Sequence, residues 1–157
     1  GGDRRGDRDG NDLRGKSDDR AGSETLSAET TMTETVRKWA DQARYDLDTA
    51  RAMLDSGRYV YVVFCCQQAV EKMIKAVIAK VSGEMPPRIH NLMQLVERAG
   101  LEPDAQQALL MRELSELYVQ SRYPEQLEPA SSSVWQGVAR DALQRTEKVV
   151  QWLSSMI

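Results

Sequence analysis

The chain has 157 residues, of which 41% are apolar and 29% charged, and its formal net charge is -3 at pH 7. A chain of this length forms one globular domain whose core needs no disulfide or metal ion. The acidic balance argues against a strongly basic nucleic-acid-binding protein. The longest apolar run, Tyr59 to Cys66, is too short for a membrane span, which takes about 20 residues. Two adjacent cysteines and one histidine exclude a disulfide framework and a multi-histidine metal site, and they favour a reducing cytoplasm.

Residues 1–31 differ in composition from the rest of the chain. They carry six Lys/Arg and eight Asp/Glu side chains and almost no apolar ones. Such a segment cannot build a core, so it is predicted to be disordered. Apolar periodicity begins at Met32, and we therefore expect residues 1–31 to be either a genuine solvated tail or a segment added upstream of a natural start. The folded domain is predicted to span residues 32–157.

After Met32, apolar residues recur every three to four positions almost without interruption, which predicts helices. A first amphipathic helix is expected from Val36 to the Ser56-Gly57 pair. A second helix, from Tyr59 to Val81, is so apolar that it is predicted to be central and covered on most sides. Gly83 and the two prolines after it end that helix.

Three further helices are predicted: a short one from about His90 to Ala99, a fourth from Pro103, and a last one capped by Ser132 or Ser133. Pro124 ends the fourth helix, and a loop follows. No segment alternates with period two. The predicted fold is therefore all-α, an up-down antiparallel bundle of four longer helices and one short one. The predicted apolar face of the fourth helix consists of Leu109, Leu110, Leu114, Leu117 and Tyr118.

Polar residues of the second helix form one stripe, because their positions repeat every four residues. Two interpretations are open. The stripe is either the one solvated side of the helix, with a Glu71 to Lys75 pair at its surface, or it places a glutamine in a cleft or dimer interface. The stripe consists of Gln67, Gln68, Glu71, Lys72 and Lys75.

Two further places in the sequence carry candidate catalytic or ligand-binding residues. His90 is the only histidine and lies near a predicted helix start, where a neutral ring could accept a proton, although such histidines also cap helices and fill cores. Arg122 and Tyr123 precede Pro124 at a helix end. An arginine beside a tyrosine can bind a phosphate and stack on a base. In the alternative interpretation, Arg122 interacts with the negative end of the helix dipole and Tyr123 packs on a neighbouring helix.

No motif of the common hydrolases occurs in the sequence: it has no Gly-rich phosphate loop, HExxH, CxxC or GxSxG segment. We expect no metal and no cofactor.

Several segments occur in a characteristic order. They are Trp39 with Asp46-Leu47, Gly57-Arg58-Tyr59, the run FCCQQAVEKMIKA from Phe64 to Ala76, His90-Asn91-Leu92 and Ser121-Arg122-Tyr123-Pro124. In this combination the sequence resembles the HEPN domain, the "higher eukaryotes and prokaryotes nucleotide-binding" domain, over about residues 34–155. The resemblance implies an all-α bundle that is usually a homodimer. It also implies a gene often encoded beside a minimal nucleotidyltransferase, with which the protein forms a toxin–antitoxin pair.

Many HEPN proteins are metal-independent ribonucleases whose motif is an arginine followed four to six residues later by a histidine. This sequence departs from that motif, because Arg88 lies two residues before His90 and no arginine stands at the family's spacing. The cleavage site is therefore not transferred. The resemblance does transfer a set of ligand-binding positions: Gln68, Glu71, Lys72, Lys75, His90, Arg122 and Tyr123.

Three functions follow as hypotheses. The first is a homodimeric binding module whose groove, lined by His90, Arg122 and Tyr123, accepts a nucleotide or a nucleic-acid end and which works with a nucleotidyltransferase-like partner. The second is a metal-independent ribonuclease with His90 as general acid or base and Arg122 stabilising charge on phosphate. The third is a purely structural protein-interaction module with a large exposed apolar patch.

Overall fold

The structure is a computed structural model that describes residues 18–126, 129 and 133–157. No β-strand occurs in this part of the chain, and the all-α prediction of four longer helices and a short one is confirmed. A 3₁₀ turn, Pro124–Gln126, follows the fourth helix. The helices are α1 (Asp18–Asp55), α2 (Tyr59–Ser82), α3 (Leu92–Arg98), α4 (Ala105–Gln120) and α5 (Ser133–Ser154).

The chain divides into two units, Gly1–Thr31 and Met32–Ile157. Within the first unit, residues 18–31 are helical and the described side chains are exposed. Disorder of this segment in solution stays a prediction, and residues 1–17 lie outside the described part of the chain. Glu24, Leu26, Ala28 and Glu29 are good helix formers and no proline interrupts them, so intrinsic propensity favours a helix even without an apolar face to bury.

In the unit Met32–Ile157, α2 is the central helix. It packs against α3, α4 and α5, and an ion pair between Lys72 and Asp46 joins it to α1. The sequence predicted this central position from the apolar content of the segment. The largest fully buried side chains of α2 are Met73, Ile74, Val62, Val63, Val70 and Val77.

Contacts between the outer helices show the antiparallel arrangement. Arg44 of α1 donates to Ser154, near the end of α5. Arg51, two turns further along α1, pairs with Glu147, two turns earlier in α5. The two helices therefore run in opposite directions, as the up-down prediction requires.

Left-handed glycines end the first three helices. Gly57, Gly83 and Gly100 have φ between 67° and 76°, a region that side chains with a Cβ atom avoid. Gly83 is the C-cap of α2, and its backbone N–H donates to the Ala79 carbonyl. The predicted ends of the first three helices agree with these positions within a few residues.

Helix starts and the surface of α4 differ in detail from the sequence prediction. α3 begins at Leu92 and not at His90, because the Asn91 side chain caps it by accepting from Gln94 N–H. Asp104, and not Pro103, sets the start of α4 through a capping box with Gln107. Leu109 does not belong to the buried face of α4, since it is 47% exposed.

The two cysteines are buried and free. Burial raises the pKa of the Cys66 thiol to about 12, so this thiol stays protonated and is not a nucleophile near neutral pH. In the part of the chain that the structure describes, no helix has the length and apolar character that a membrane span requires.

Two glycine substitutions are expected to change stability in opposite directions. Gly83→Ala forces a Cβ atom into the left-handed region and is expected to lower the free energy of unfolding by about 1 kcal/mol. Gly137 lies inside α5 without a positive φ and with open space around its Cα. Gly137→Ala is therefore expected to raise the free energy of unfolding by about 0.5–1 kcal/mol. Urea unfolding measures both, and the same sign for the two variants contradicts the assigned backbone conformations.

Candidate functional site

The polar stripe of α2 is buried along one of its rows. Gln67, Glu71 and Lys75 are only 3–4% exposed. The interpretation of the stripe as a solvated helix face is therefore wrong for these residues. The sequence could not show this, because the side chains that cover the stripe come from α1 and from the loop between α2 and α3.

Glu71 and Lys75 form an ion pair inside the protein. Lys75 Nζ lies 3.3 Å from Glu71 Oε2, and both side chains are 5% exposed. The ammonium group also lies 5.4 Å from the ring centroid of Trp39 on α1, a cation–π contact. Burying two charges is costly unless each one is neutralised by good geometry. Here the carboxylate and the indole ring share that role for Lys75.

His90 lies at the surface, next to the buried Glu71 carboxylate. Its Nδ1 lies 3.2 Å from both carboxylate oxygens of Glu71, while 77% of the His90 side chain is exposed. A second bond holds the backbone, because the amide of Gln67 donates to the His90 carbonyl oxygen over 3.2 Å. We call Trp39, Lys75, Glu71 and His90 the polar row.

The polar row fixes the orientation of the imidazole. With Nδ1–H donating to Glu71, the second ring nitrogen, Nε2, carries the lone pair and is left for solvent or a ligand. A carboxylate that holds one histidine nitrogen and orients the other is the arrangement that general acid–base catalysis uses. The surface of the polar row can therefore accept a hydrogen bond or a proton.

The neighbouring lysine of the stripe, Lys72, also contacts α1. Lys72 Nζ lies 2.6 Å from Asp46 Oδ2 and 3.4 Å from Gln42 Oε1, both on α1. The ammonium group of Lys72 therefore links α2 to α1 through an ion pair. Gln68 is half-buried and lies one turn from Phe64 on the same side of α2.

Arg122 belongs to a second cluster, which we call the aromatic stack. The rings of Phe64 and Tyr118 lie 5.5 Å apart with an interplanar angle of 27°. The guanidinium of Arg122 lies 5.5 Å from the Tyr118 ring centroid. Arg122 is exposed, as is 49% of Tyr123. This exposure disfavours the alternative in which Tyr123 packs against a neighbouring helix.

The two clusters contact the same side of α2 at different positions along the helix axis. Phe64 anchors the aromatic stack and Glu71 anchors the polar row; seven residues, or two helical turns, separate them, which is about 10 Å along the axis. Gln68 lies between them. Among the described contacts none joins His90 directly to Arg122, so a ligand that meets both residues must extend beyond a single cluster.

Sequence reasoning missed three partners in these clusters. The sequence places Tyr118 only on the apolar face of the fourth helix, while Phe64 and Trp39 enter only as apolar positions of the second and first helices and through the family resemblance. One signal was available, because Tyr118 and Arg122 are four residues apart and thus lie on one side of a helical turn. Nothing in the sequence places Trp39 beside Lys75, since this contact depends on how α1 packs on α2.

The family model for the HEPN domain matches residues 36–156. The chain belongs to the HEPN family. Two solved structures are similar to this HEPN chain. TT1696 from Thermus thermophilus is 25% identical to it with a TM-score of 0.64, and the alignment covers 78% of this chain and 98% of that protein. ST0689, described as an archaeal HEPN homologue, is 24% identical with a TM-score of 0.60, covering 76% of this chain and 95% of its own. The comparison with curated proteins found no match.

The HEPN match includes both clusters, because Trp39 and Arg122 lie inside the matched range. Across the described residues of this HEPN domain, no group of three His, Cys, Asp or Glu side chains is placed to hold a metal ion.

The buried ion pair of this HEPN domain is testable by a double-mutant cycle. Lys75→Met leaves the Glu71 carboxylate buried beside only His90 and is expected to lower the free energy of unfolding by about 3 kcal/mol. Glu71→Leu is expected to destabilise the protein by a similar amount. The double variant removes both charges and should be more stable than either single variant. Urea unfolding of the four proteins measures the coupling, and additive losses contradict a direct interaction.

Proposed function

We propose that this HEPN protein binds a nucleotide or a nucleic-acid end on the side of α2 that carries the aromatic stack and the polar row. The observation that carries the proposal is the Arg122 guanidinium above the Tyr118 ring, with Phe64 behind it. All three side chains are at least partly accessible. A guanidinium can pair with phosphate through two parallel hydrogen bonds, and an exposed aromatic face can stack on a base.

The polar row supplies a second contact for the same ligand. The exposed ring of His90 is held by Glu71, which lies two helical turns along α2 from Phe64, and Gln68 lies between these two positions with amide donors and acceptors. A mononucleotide would engage one cluster, whereas a short single strand could reach both. The proposed site is therefore better suited to a strand end of two or more nucleotides.

We further propose an oligomeric state, a partner and a location for the protein. The family resemblance supports a homodimer that acts with a nucleotidyltransferase-like partner in a toxin–antitoxin type of system. Two free buried thiols support a cytoplasmic location.

Calorimetric titration tests the binding site. The probes are ATP, GTP and a single-stranded RNA of a few nucleotides. We expect the RNA to bind most tightly, and we expect Arg122→Ala to weaken it by about tenfold through loss of a charge-assisted phosphate contact. Arg112→Ala is the matched control, because Arg112 is an exposed arginine of α4 outside both clusters.

Two outcomes would contradict the proposal. One is that none of the three probes binds below millimolar concentration. The other is an equal loss of affinity in Arg122→Ala and Arg112→Ala, because this would trace binding to overall charge and not to the aromatic stack.

A second candidate function is metal-independent cleavage of RNA, and the contact between Glu71 and His90 favours it. The carboxylate holds Nδ1, so Nε2 is available as a general base. It would take the proton of a ribose 2′-hydroxyl while that oxygen attacks the adjacent phosphorus. The bond from phosphorus to the 5′-oxygen breaks, the 5′-oxygen takes a proton from water, and a 2′,3′-cyclic phosphate is formed.

Cleavage of an end-labelled structured RNA in EDTA tests this second function. If the protein is a ribonuclease, His90→Ala should lose at least about a hundredfold in rate, since general acid–base catalysis contributes that much. Arg88→Ala is the control, because Arg88 is an exposed neighbour with no place in either cluster. Absence of cleavage by the unmodified protein, or equal cleavage by His90→Ala, rejects this function and leaves the binding function standing.

A further inference from the structure

A second surface lies outside the proposed site. A groove with a volume of about 280 Å³ runs between α4 and α5. Its floor is formed by Leu110, Leu114 and Ala142, which are buried, and by Leu117 and Val138, which are half-buried. No residue of the polar row or the aromatic stack lines this groove.

Exposed apolar side chains extend the groove at both ends. Leu109 is 47% exposed and precedes the groove residue Glu113 by one helical turn. Val134 is 60% exposed and precedes Val138 by one turn of α5. Residues four apart are neighbours on a helix surface. The apolar strip is therefore longer than the groove itself. The groove surface of α4, from Leu109 to Gln120, is about 16 Å long, or three helical turns.

The rim of the groove carries excess negative charge. Arg145 is the one cation among the groove residues, and it is already paired with Glu113 and with Asp141, the latter at 3.2 Å. Glu116 accepts a hydrogen bond from Gln120 over 3.4 Å, and no cation in the described part of the chain pairs with it. Three carboxylates and one guanidinium leave the rim with a formal charge of -2, counted over these groove residues.

We infer that this groove docks an amphipathic helix of a partner protein, with apolar side chains every three to four positions and lysine or arginine beside them. A three-turn helix matches the length of this groove surface and presents i, i+3 or i+4, and i+7 side chains to it. The basic flank complements the carboxylates of the rim. The acidic rim repels phosphate groups, so the groove is unsuited to the ligand proposed for the α2 side.

The test uses two synthetic helical peptides and the full chain. Both peptides carry the same leucine stripe and a fluorescein label, and they differ only in their flanking residues, which are lysine in one and glutamate in the other. Fluorescence anisotropy measures binding at low salt. The lysine peptide is expected to bind at least about tenfold more tightly than the glutamate peptide.

Three variants locate the binding. Glu116→Lys reverses a rim charge and is expected to weaken the lysine peptide by at least about fivefold. Asp55→Lys is the matched control, because it makes the same change of charge at an exposed position at the end of α1. Leu109→Ser removes an exposed apolar contact without disturbing the core and is expected to weaken binding by about threefold or more.

Several results would overturn the inference. They are equal affinity for the two peptides, no binding of either at millimolar concentration, and an equal effect of Glu116→Lys and Asp55→Lys. Light scattering tests one more contradicting result. If the unmodified protein is a dimer and Glu116→Lys is a monomer, the occupant of the groove is a second copy of this chain. All of these outcomes are independent of nucleotide or RNA binding.

Discussion

The constraint on which this structure depends is a charged pair placed on its most buried helix. α2 carries Glu71 and Lys75 at positions where 95% of each side chain is removed from solvent. Two such charges destabilise a fold unless their neighbours compensate for the lost hydration. Compensation comes from two elements that contact this face of α2: Trp39 of α1 lies over the ammonium group, and His90 of the α2–α3 loop lies against the carboxylate. The pair thus determines which elements must pack on this face of α2.

This constraint links stability to the site. The loop that carries His90 has only a short helix after it, and two contacts with α2 hold it, through Gln67 and Glu71. The same carboxylate that neutralises a buried lysine therefore orients an exposed imidazole. The aromatic stack, two turns away on α2, is positioned differently, by ring contacts between α2 and α4 and by an arginine just beyond the end of α4. The proposed ligand site combines the imidazole of His90, which Glu71 orients, with the guanidinium of Arg122, which stacks on Tyr118.

The sequence predicted the architecture well because the fold is determined by local patterns. Apolar spacing defined the helices, and Gly57, Gly83 and Gly100 marked the ends of the first three, since a positive φ favours glycine. It could not predict the site to the same degree. Periodicity placed Gln67, Glu71 and Lys75 on one face but could not show whether solvent or another element covers that face. His90 and Glu71 are nineteen residues apart, and only tertiary packing joins them. Arg122 is a candidate because of its chemistry, and Tyr118 lies only four residues before it, but Phe64 belongs to another helix and only tertiary packing brings it to the stack.

The central claim is that Glu71 holds the imidazole of His90 through Nδ1. Since His90 is the only histidine in the chain, long-range proton–nitrogen correlation spectra of the uniformly ¹⁵N-labelled protein contain the signals of one imidazole ring and need no assignment. With the ring neutral, the account predicts that Nδ1 carries the proton and that Nε2 shows the chemical shift of an unprotonated nitrogen. A spectrum in which Nε2 carries the proton, the form that a free neutral imidazole side chain prefers, would contradict the account.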